Sequence, residues 1–316
     1  MGILNVSQRD RGRCEIEERS GRIERIRRGT RDRWLYNIMN STQLESEYGD
    51  CPDCGRENIE FKIWKLGDGS IKRLKYCPDC TAKSQQKIKE QEESARKLAV
   101  AAKRREWREN CGIPMKFMNE QFDTFDKSRQ KDKYELCLEY ADSYPLMDSR
   151  KYPSLVLYSE SSWGVGKTHL ACSIGHHILN RWDGENIGRP VLFISEPDLY
   201  LRIQATYNYS TEERHYRESE TDIINQLTSV PLLIMDDLGK RKTHDPRFVQ
   251  RIMFAVIDGR YKDMRPMVLT ANLSPQKLAF YLGGGEGDEA SFDRLLEMCG
   301  GAFVRIEGES FRREIK

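Results

Sequence analysis

Gly164-Val165-Gly166-Lys167-Thr168 carries more chemistry per residue than any other stretch of this chain, and it follows the apolar run Ser154–Tyr158. Glycine adopts dihedrals closed to other residues, so the amides of such a loop can wrap an anion at close range. A helix opening at Lys167 would add its unpaired first-turn N–H groups and the positive end of its dipole. Lys167 is then placed to reach the β- and γ-phosphates of a nucleotide, and the Thr168 hydroxyl to hold Mg²⁺. The complete phosphate-loop pattern asks for glycine five residues before Gly166, where this chain has Ser161. Serine demands a more ordinary backbone turn there, but it leaves the amides, Lys167 and Thr168 untouched.

A second element supports the first. Leu232-Leu-Ile-Met-Asp-Asp-Leu-Gly reads as a buried strand whose tip presents Asp236 and Asp237. Ligands of open α/β sheets bind at the carboxyl ends of the strands. Asp236 is the candidate to coordinate Mg²⁺ through water, and Asp237 to orient or activate an attacking water. Met267-Val-Leu-Thr-Ala-Asn-Leu is a third strand; it would set Asn272 beside the γ-phosphate if it neighbours the Asp236 strand. The candidate nucleotide-binding residues are therefore Gly164, Val165, Gly166, Lys167, Thr168 and His169, with Lys167, Asp236, Asp237 and Asn272 as catalytic candidates. The spacing predicts Lys167 and Asp236 meeting across neighbouring strand tips around one magnesium–triphosphate.

The cysteines offer different chemistry. Cys51 and Cys54 form one C-x-x-C pair, and Cys77 and Cys80 form another 22 residues further on. Four thiolates at this spacing fit tetrahedral Zn²⁺, and a full set of protein ligands makes the ion structural rather than catalytic. A redox-active C-x-x-C would sit beside a βαβ pattern, which is missing here. Cys14, Cys111, Cys137, Cys172 and Cys299 are scattered and read as ordinary thiols.

The elements that must position these groups fall into textures of their own. Residues 1–48 form an Arg-rich arm, read as helical with interruptions at Gly21 and Gly29. It is compatible with a solvated charged face or with an arm touching nucleic acid or a partner protein. Residues 49–82 are the four-cysteine zinc ribbon: Ile59, Phe61 and Ile63 alternate with polar residues, Gly67-Asp68-Gly69 turns the chain, and Ile71–Tyr76 returns. Lys62, Lys65, Lys72, Arg73 and Lys75 interleave with Trp64 and Tyr76, a mixture suited to DNA or to a protein partner. Residues 83–110 form a helical linker. From residue 111 to 316, short apolar runs alternate with helical stretches, the pattern of a parallel sheet covered by helices on both faces.

Within that last region, CGIPMKFMNEQFDTFD, GVGKTHLA, LLIMDDLG, IDGRYKDMRPMVLTANL and SFDRLLEMCG resemble the DnaC/IstB-like branch of AAA+ ATPases, the bacterial and phage replicative-helicase loaders. The resemblance implies an α/β AAA+ P-loop fold for residues 111–316, with the GIPMKF and FDTFD segments near the adenine. It implies that Asn272 is the sensor 1 residue and that Arg294 is an arginine finger reaching a neighbouring subunit's γ-phosphate. AAA+ proteins generally carry Glu where this chain has Asp237, which bears on hydrolysis rate more than on binding. About ten residues follow the last expected strand, too few for the family's C-terminal helical lid. The implied function is ATP-dependent loading of a replicative ring helicase onto single-stranded DNA by an ATP-dependent homo-oligomer, with ATP, Mg²⁺ and Zn²⁺ bound. Two alternatives share the core: an IstB-type ATPase regulating a transposase, and a non-hydrolysing ATP-switched DNA-binding protein. Lys240, Arg241, Lys242, Arg247 and Arg251 are candidates for DNA contact or for solvated charge.

Composition narrows the remainder. The formal net charge of the 316 residues is +2, too small to argue for nucleic-acid binding by itself. No apolar run approaches a membrane span, and arginines begin at Arg9, so neither a membrane protein nor a secretory leader is expected. The expected location is the cytoplasm.

Overall fold

The computed structural model describes residues 42–65, 69, 71–73, 75–128, 130–160, 163–183, 188–240, 245–285, 288–301 and 303–311. Most of the Arg-rich arm, Gly67, Asp68, Ser161, Arg241 and Lys242 lie outside the described residues, as does Cys14. The chain divides into two compact units, Met1–Ala95 and Arg96–Lys316.

The first unit is a small antiparallel sheet. β1 (Thr42–Gly49), β2 (Ile59–Lys65) and β3 (Ile71–Arg73) lie in the order β1-β2-β3. The β2–β3 pairing expected from the alternating residues is present, with Ile63 opposite Arg73. β1 is an addition, because the helical reading of the arm extends over residues 42–48. Thr42 faces Lys65 and Gly49 faces Ile59, so β1 satisfies the otherwise unpaired edge of β2. Arg and Glu content carries the helical reading upstream, but Arg33 is the last arginine before Arg56, and TQLESEYG alternates like a strand. Helix α1 (Pro78–Asn110) then begins directly after Cys77.

The second unit is built on a five-stranded parallel sheet. Its elements are α2 (Lys131–Ser143), β4 (Leu155–Tyr158), α3 (Lys167–Arg181), β5 (Val191–Ser195), α4 (Glu196–Tyr207), α5 (Glu220–Ser229) and β6 (Leu232–Leu238). They continue with α6 (Pro246–Lys262), β7 (Met267–Ala271), α7 (Pro275–Leu282), α8 (Ala290–Met298) and β8 (Val304–Arg305). The strand order is β5-β6-β7-β4-β8. β7 therefore lies between the phosphate-loop strand β4 and the Asp236 strand β6. These two tips are not neighbours, which corrects the expectation that they would be adjacent. Asn272 does follow a strand paired directly with β6.

Two hydrophobic clusters explain why strands with so little polar alternation are stable. Leu155, Leu157, Val191, Phe193, Leu232, Ile234 and Val268 face one cluster with Ile174 and Ile178 of α3. Val156, Leu192, Ile194, Leu233, Met235, Met267 and Leu269 face the other, with Leu199 of α4 and Ile252 and Val256 of α6. The period-2 geometry survives, but both faces are covered, so both need apolar side chains. Each fully buried Leu or Ile contributes about 1.5–3 kcal/mol.

The C-terminal part of α1 is not a free linker. Trp107 is buried edge-on against Trp182, with centroids 6.1 Å apart, and Arg104 Nε donates to the Trp182 carbonyl at 2.5 Å. The compact unit accordingly begins at Arg96 rather than at the expected boundary of 111. Among the described residues, no helix is long and apolar enough to cross a membrane.

Candidate nucleotide site and metal cluster

The loop after β4 turns into α3 at Gly166, whose φ of 93° lies in the left-handed region. A Cβ there would come 2.7 Å from the Phe125 ring, so glycine is required both for dihedral and for space. No side chain caps α3, whereas α4, α5, α6 and α7 are capped by Ser195, Ser219, Asp245 and Ser274. The uncapped amides of α3 are thus left for an external acceptor.

Around this helix start the strand tips assemble a polar cluster. The Thr168 hydroxyl donates to both carboxylate oxygens of Asp236, at 2.9 and 3.1 Å. Thr270, from the intervening strand β7, donates to Asp236 Oδ1 at 2.6 Å and accepts the Asp237 amide at 3.0 Å. Asp236 is buried, and desolvation, reinforced by the nearby Asp237 charge, pushes its carboxyl above the ordinary value against the pull of Thr270 and Thr168. A divalent cation would relieve that penalty by favouring the charged form. Lys167 is buried and its Nζ donates to Ser159 Oγ at 2.5 Å.

Asp237 has a φ of 63°, uncommon for a residue with a side chain. The β6–β7 register shifts between Met235 and Leu238, which turns the second acid out of the strand's regular alternation. Its carboxylate meets Lys240 Nζ at 2.6 Å and Asn272 Nδ2 at 3.4 Å. Lys240, a candidate for DNA contact, is thus also part of the cleft lining, with its side chain more than half exposed. Arg251, another candidate for DNA contact, is tied to Glu220 and to the Tyr207 hydroxyl.

The cleft above these groups has a volume of about 420 Å³, within the range of small-molecule sites. Its lining includes Gly164 to His169, Asp237, Lys240 and Asn272, together with Phe117, Glu120, Thr124, Phe125, Trp163 and Phe311. His169 links them: its Nε2 lies 2.9 Å from the Gln121 carbonyl and its Nδ1 meets Glu120. Arg294 is outside this lining. Its guanidinium pairs with Asp258 at 3.3 Å and lies over the rings of Phe254 and Tyr261.

Sequence reasoning missed three supports. Ser159 follows β4 and reads as loop; a serine eight residues before a phosphate-loop lysine is its only signal. Gln130, also buried, donates to the Val165 carbonyl at 2.9 Å and props the phosphate loop from below. Glu196 is fully buried, accepting the Gly239 amide at 2.8 Å and the Tyr200 hydroxyl at 3.0 Å. Burial raises its carboxyl to about 7. The turn after Asp237 is therefore anchored from β5's end.

These features coincide with a family match. A family model described as "IstB-like ATP binding protein" covers residues 95–316. The chain belongs to that family. Its five-stranded parallel sheet, flanked by helices and carrying a glycine-containing loop after β4, is the α/β arrangement expected from the sequence pattern. The replicative helicase loader DnaC of Buchnera aphidicola subsp. Baizongia pistaciae (strain Bp) is 25% identical over 209 residues, spanning 65% of this chain and 74% of the loader. DnaC of Escherichia coli (strain K12) is 26% identical over 152 residues, 48% of this chain and 54% of that protein. A crystal structure of the DnaC helicase loader superposes with a TM-score of 0.47 at 20% identity, covering 61% of this chain and 100% of that one.

The second cluster is in the first unit. The sulfurs of Cys51, Cys54, Cys77 and Cys80 all lie within 4.8 Å of one another. The Cys54 and Cys77 sulfurs are 3.8 Å apart, the edge of a tetrahedron with metal–sulfur bonds of about 2.3 Å. The Cys77 amide donates to Cys51 Sγ at 3.3 Å and the Cys80 amide to Cys77 Sγ at 3.4 Å. Donation from the Cys77 amide holds the Cys51 thiol down at about 6. Arg56 and Asp79, paired at 2.6 Å, tie one knuckle to the other. The donor set fits a structural Zn²⁺. By contrast, burial pushes Cys137 and Cys299 up to about 12, leaving them inert.

Proposed function

We propose that this protein binds and hydrolyses ATP with Mg²⁺ and uses that cycle to load a ring-shaped replicative helicase onto single-stranded DNA. The observation that carries the nucleotide reading is the convergence of Thr168 and Thr270 on Asp236, beside an uncapped helix that begins with Lys167. Lys167 would take the β- and γ-phosphates, and Thr168 and Asp236 would hold Mg²⁺, which supplies charge neutralisation when bound. Asp237, held by Asn272 and Lys240, is the group to orient water. Arg294 lies outside the lining of its own cleft, as suits a finger offered to a neighbouring copy in an ATP-dependent homo-oligomer. The loading role draws on the helicase loaders that the chain resembles over 65% of its length. The four-cysteine cluster is assigned a structural Zn²⁺, and Lys62, Lys65 and Trp64 on its hairpin are candidate contacts for DNA or a protein partner.

Calorimetric titration of ATP with Mg²⁺ is the direct test. Lys167→Ala is expected to weaken binding at least about 100-fold, on the order of 3 kcal/mol. Asp237→Ala should retain binding while abolishing phosphate release. Capture of the purified host replicative helicase in the presence of ATP would support loading. Capture of a genomically adjacent transposase instead would move the protein to the IstB-type role that its family description favours. Tight ATP binding without phosphate release, with DNA and helicase present, would make it a switch; the Lys240–Asp237 pair favours that reading.

A further inference from the structure

The end of the described chain runs back across the nucleotide cleft. β8 pairs with β4, and the Ile306 amide donates to the Tyr158 carbonyl at 2.7 Å, with the Ile306 side chain fully buried. Five residues later the Phe311 amide donates to the Gly164 carbonyl at 3.0 Å, so the strap is fastened to the phosphate loop itself. The Phe311 ring lies on Phe125 with centroids 5.9 Å apart, and 3.5 Å from where a Cβ on Gly166 would stand. Phe125 in turn packs on Tyr134 and on His169, the residue after Thr168.

The lining of the cleft is chemically divided. Lys167, Thr168, Asp237, Lys240 and Asn272 suit phosphate, metal and water, whereas Phe117, Phe125, Trp163 and Phe311 offer flat apolar surface. A nucleotide is divided in the same way, with a polyanion at one end and an aromatic base at the other. Aromatic rings interact favourably with other π-faces in stacked or edge-on contact. The strap's backbone bond to Gly164 fixes Phe311 before any ligand arrives, which reduces the ordering cost of binding.

We propose that Phe311 is a base-binding residue: the strap 307–311 forms a wall of the nucleotide site, and the Phe311 ring contacts the purine base. This rests on the nucleotide reading above and adds a residue from a segment outside every motif of that reading. It makes the strap a determinant of nucleotide affinity that acts on the base and not on the phosphates.

Two ligands separate base from phosphate. ATP and inorganic tripolyphosphate, each with Mg²⁺, are titrated calorimetrically into the full chain and into Phe311→Ala, with thermal melts to confirm folding. The expected result is a roughly tenfold loss of ATP affinity with tripolyphosphate affinity unchanged. Phe311→Leu, which keeps apolar volume against Phe125 but removes the flat face, should also lose ATP affinity, and Phe311→Trp should retain it. Equal losses for both ligands would overturn the proposal, because the ring would then act only through the shape of the phosphate loop. Unchanged or tighter ATP binding would overturn it too, the latter making Phe311 a plug that the base displaces. Failure of the unsubstituted protein to bind either ligand would remove the nucleotide reading itself, an outcome distinct from failure of the variants alone.

Discussion

The two units solve the problem of stability by opposite means. In the ribbon, the described buried side chains are Cys51, Phe61, Cys77 and Cys80, with Ile59 and Tyr76 partly covered around the sulfurs. In the second unit, two extended clusters sandwich the sheet, and their residues come from every strand from β4 to β7. Apolar burial on the scale of the second unit can hold a fold without any ligand; the few buried side chains described in the first would be a weak core by themselves. The ribbon's four thiols converge on one point instead, where a bound metal would supply the cohesion that a core supplies elsewhere. Under the proposed function, ligands in the two units would do different jobs: in one they would complete a fold, in the other they would exploit one.

The largest effect should follow from removing that metal. Chelation of the purified protein, or Cys77→Ser, is expected to abolish amide protection throughout β1, β2 and β3, since zinc sites of this kind contribute roughly 10 kcal/mol to folding. Hydrogen exchange in β4 to β7 and the melting of the second unit should remain unchanged. Protection of β2 that survives chelation would break the comparison, because it would require a core that Phe61 alone does not provide.

The second unit should instead fail through its interior. Arg260 is fully buried and donates to the carbonyls of Leu227, Val230, Pro231 and Pro266, at 2.6, 2.9, 3.1 and 2.5 Å. Those carbonyls belong to the chain leading into β6 and β7, so one guanidinium sets the approach of both strands. Burial lowers its pKa to about 9. Arg260→Met fills the space but orphans the acceptors, and a loss of roughly 3–5 kcal/mol in denaturant unfolding is expected. The ribbon's exchange pattern should be indifferent to it. A melt unchanged by Arg260→Met would mean that the carbonyls find water, and that this unit is held by its clusters alone.

The same contrast explains what the sequence makes legible. Glycines, an adjacent lysine and paired acids announce a site because each is a poor choice for a core. The strands β4, β6 and β7 are legible from their apolar runs, although β6 continues three residues past the run Leu232–Met235, to Leu238. The four metal-fitting cysteines are equally plain. Supports composed of common residue types are not. Ser159, Gln130 and Phe311 lie outside any motif, and their roles depend on distant chain segments meeting. Strand order is hidden for a similar reason: Thr270 connects Asp236 and Asp237 only because β7 inserts between β6 and β4. β1 is obscured by its composition, and the docking of α1 by the polarity of most of that helix, with Trp107 as the one large apolar clue near its end.

The smallest effect, and the one that joins site to fold, concerns Glu196. Its carboxylate is sealed from solvent yet accepts the Gly239 amide, at a glycine whose φ is 73° and whose Cβ would strike Leu273 at 2.2 Å. That glycine is two residues beyond Asp237, so Glu196 holds the turn that aims the second acid. Desolvation, aided by the Asp237 charge, raises the Glu196 carboxyl from an ordinary 4.5 to about 7. A folded-state value above the unfolded one means that the native protein prefers the protonated acid. Stability is then fullest below pH 4.5, falls as pH rises toward 7, and is flat above, with an amplitude of up to about 3 kcal/mol. Glu196→Gln can keep an acceptor for Gly239 and a partner for Tyr200 while removing the titration. Its unfolding free energy should match the parent below about pH 4 and exceed it at pH 8, the opposite of what loss of a useful charge would give. If the variant is instead less stable at pH 8, the carboxylate is charged in the native state, and its bond to the Gly239 amide outweighs the cost of burying it.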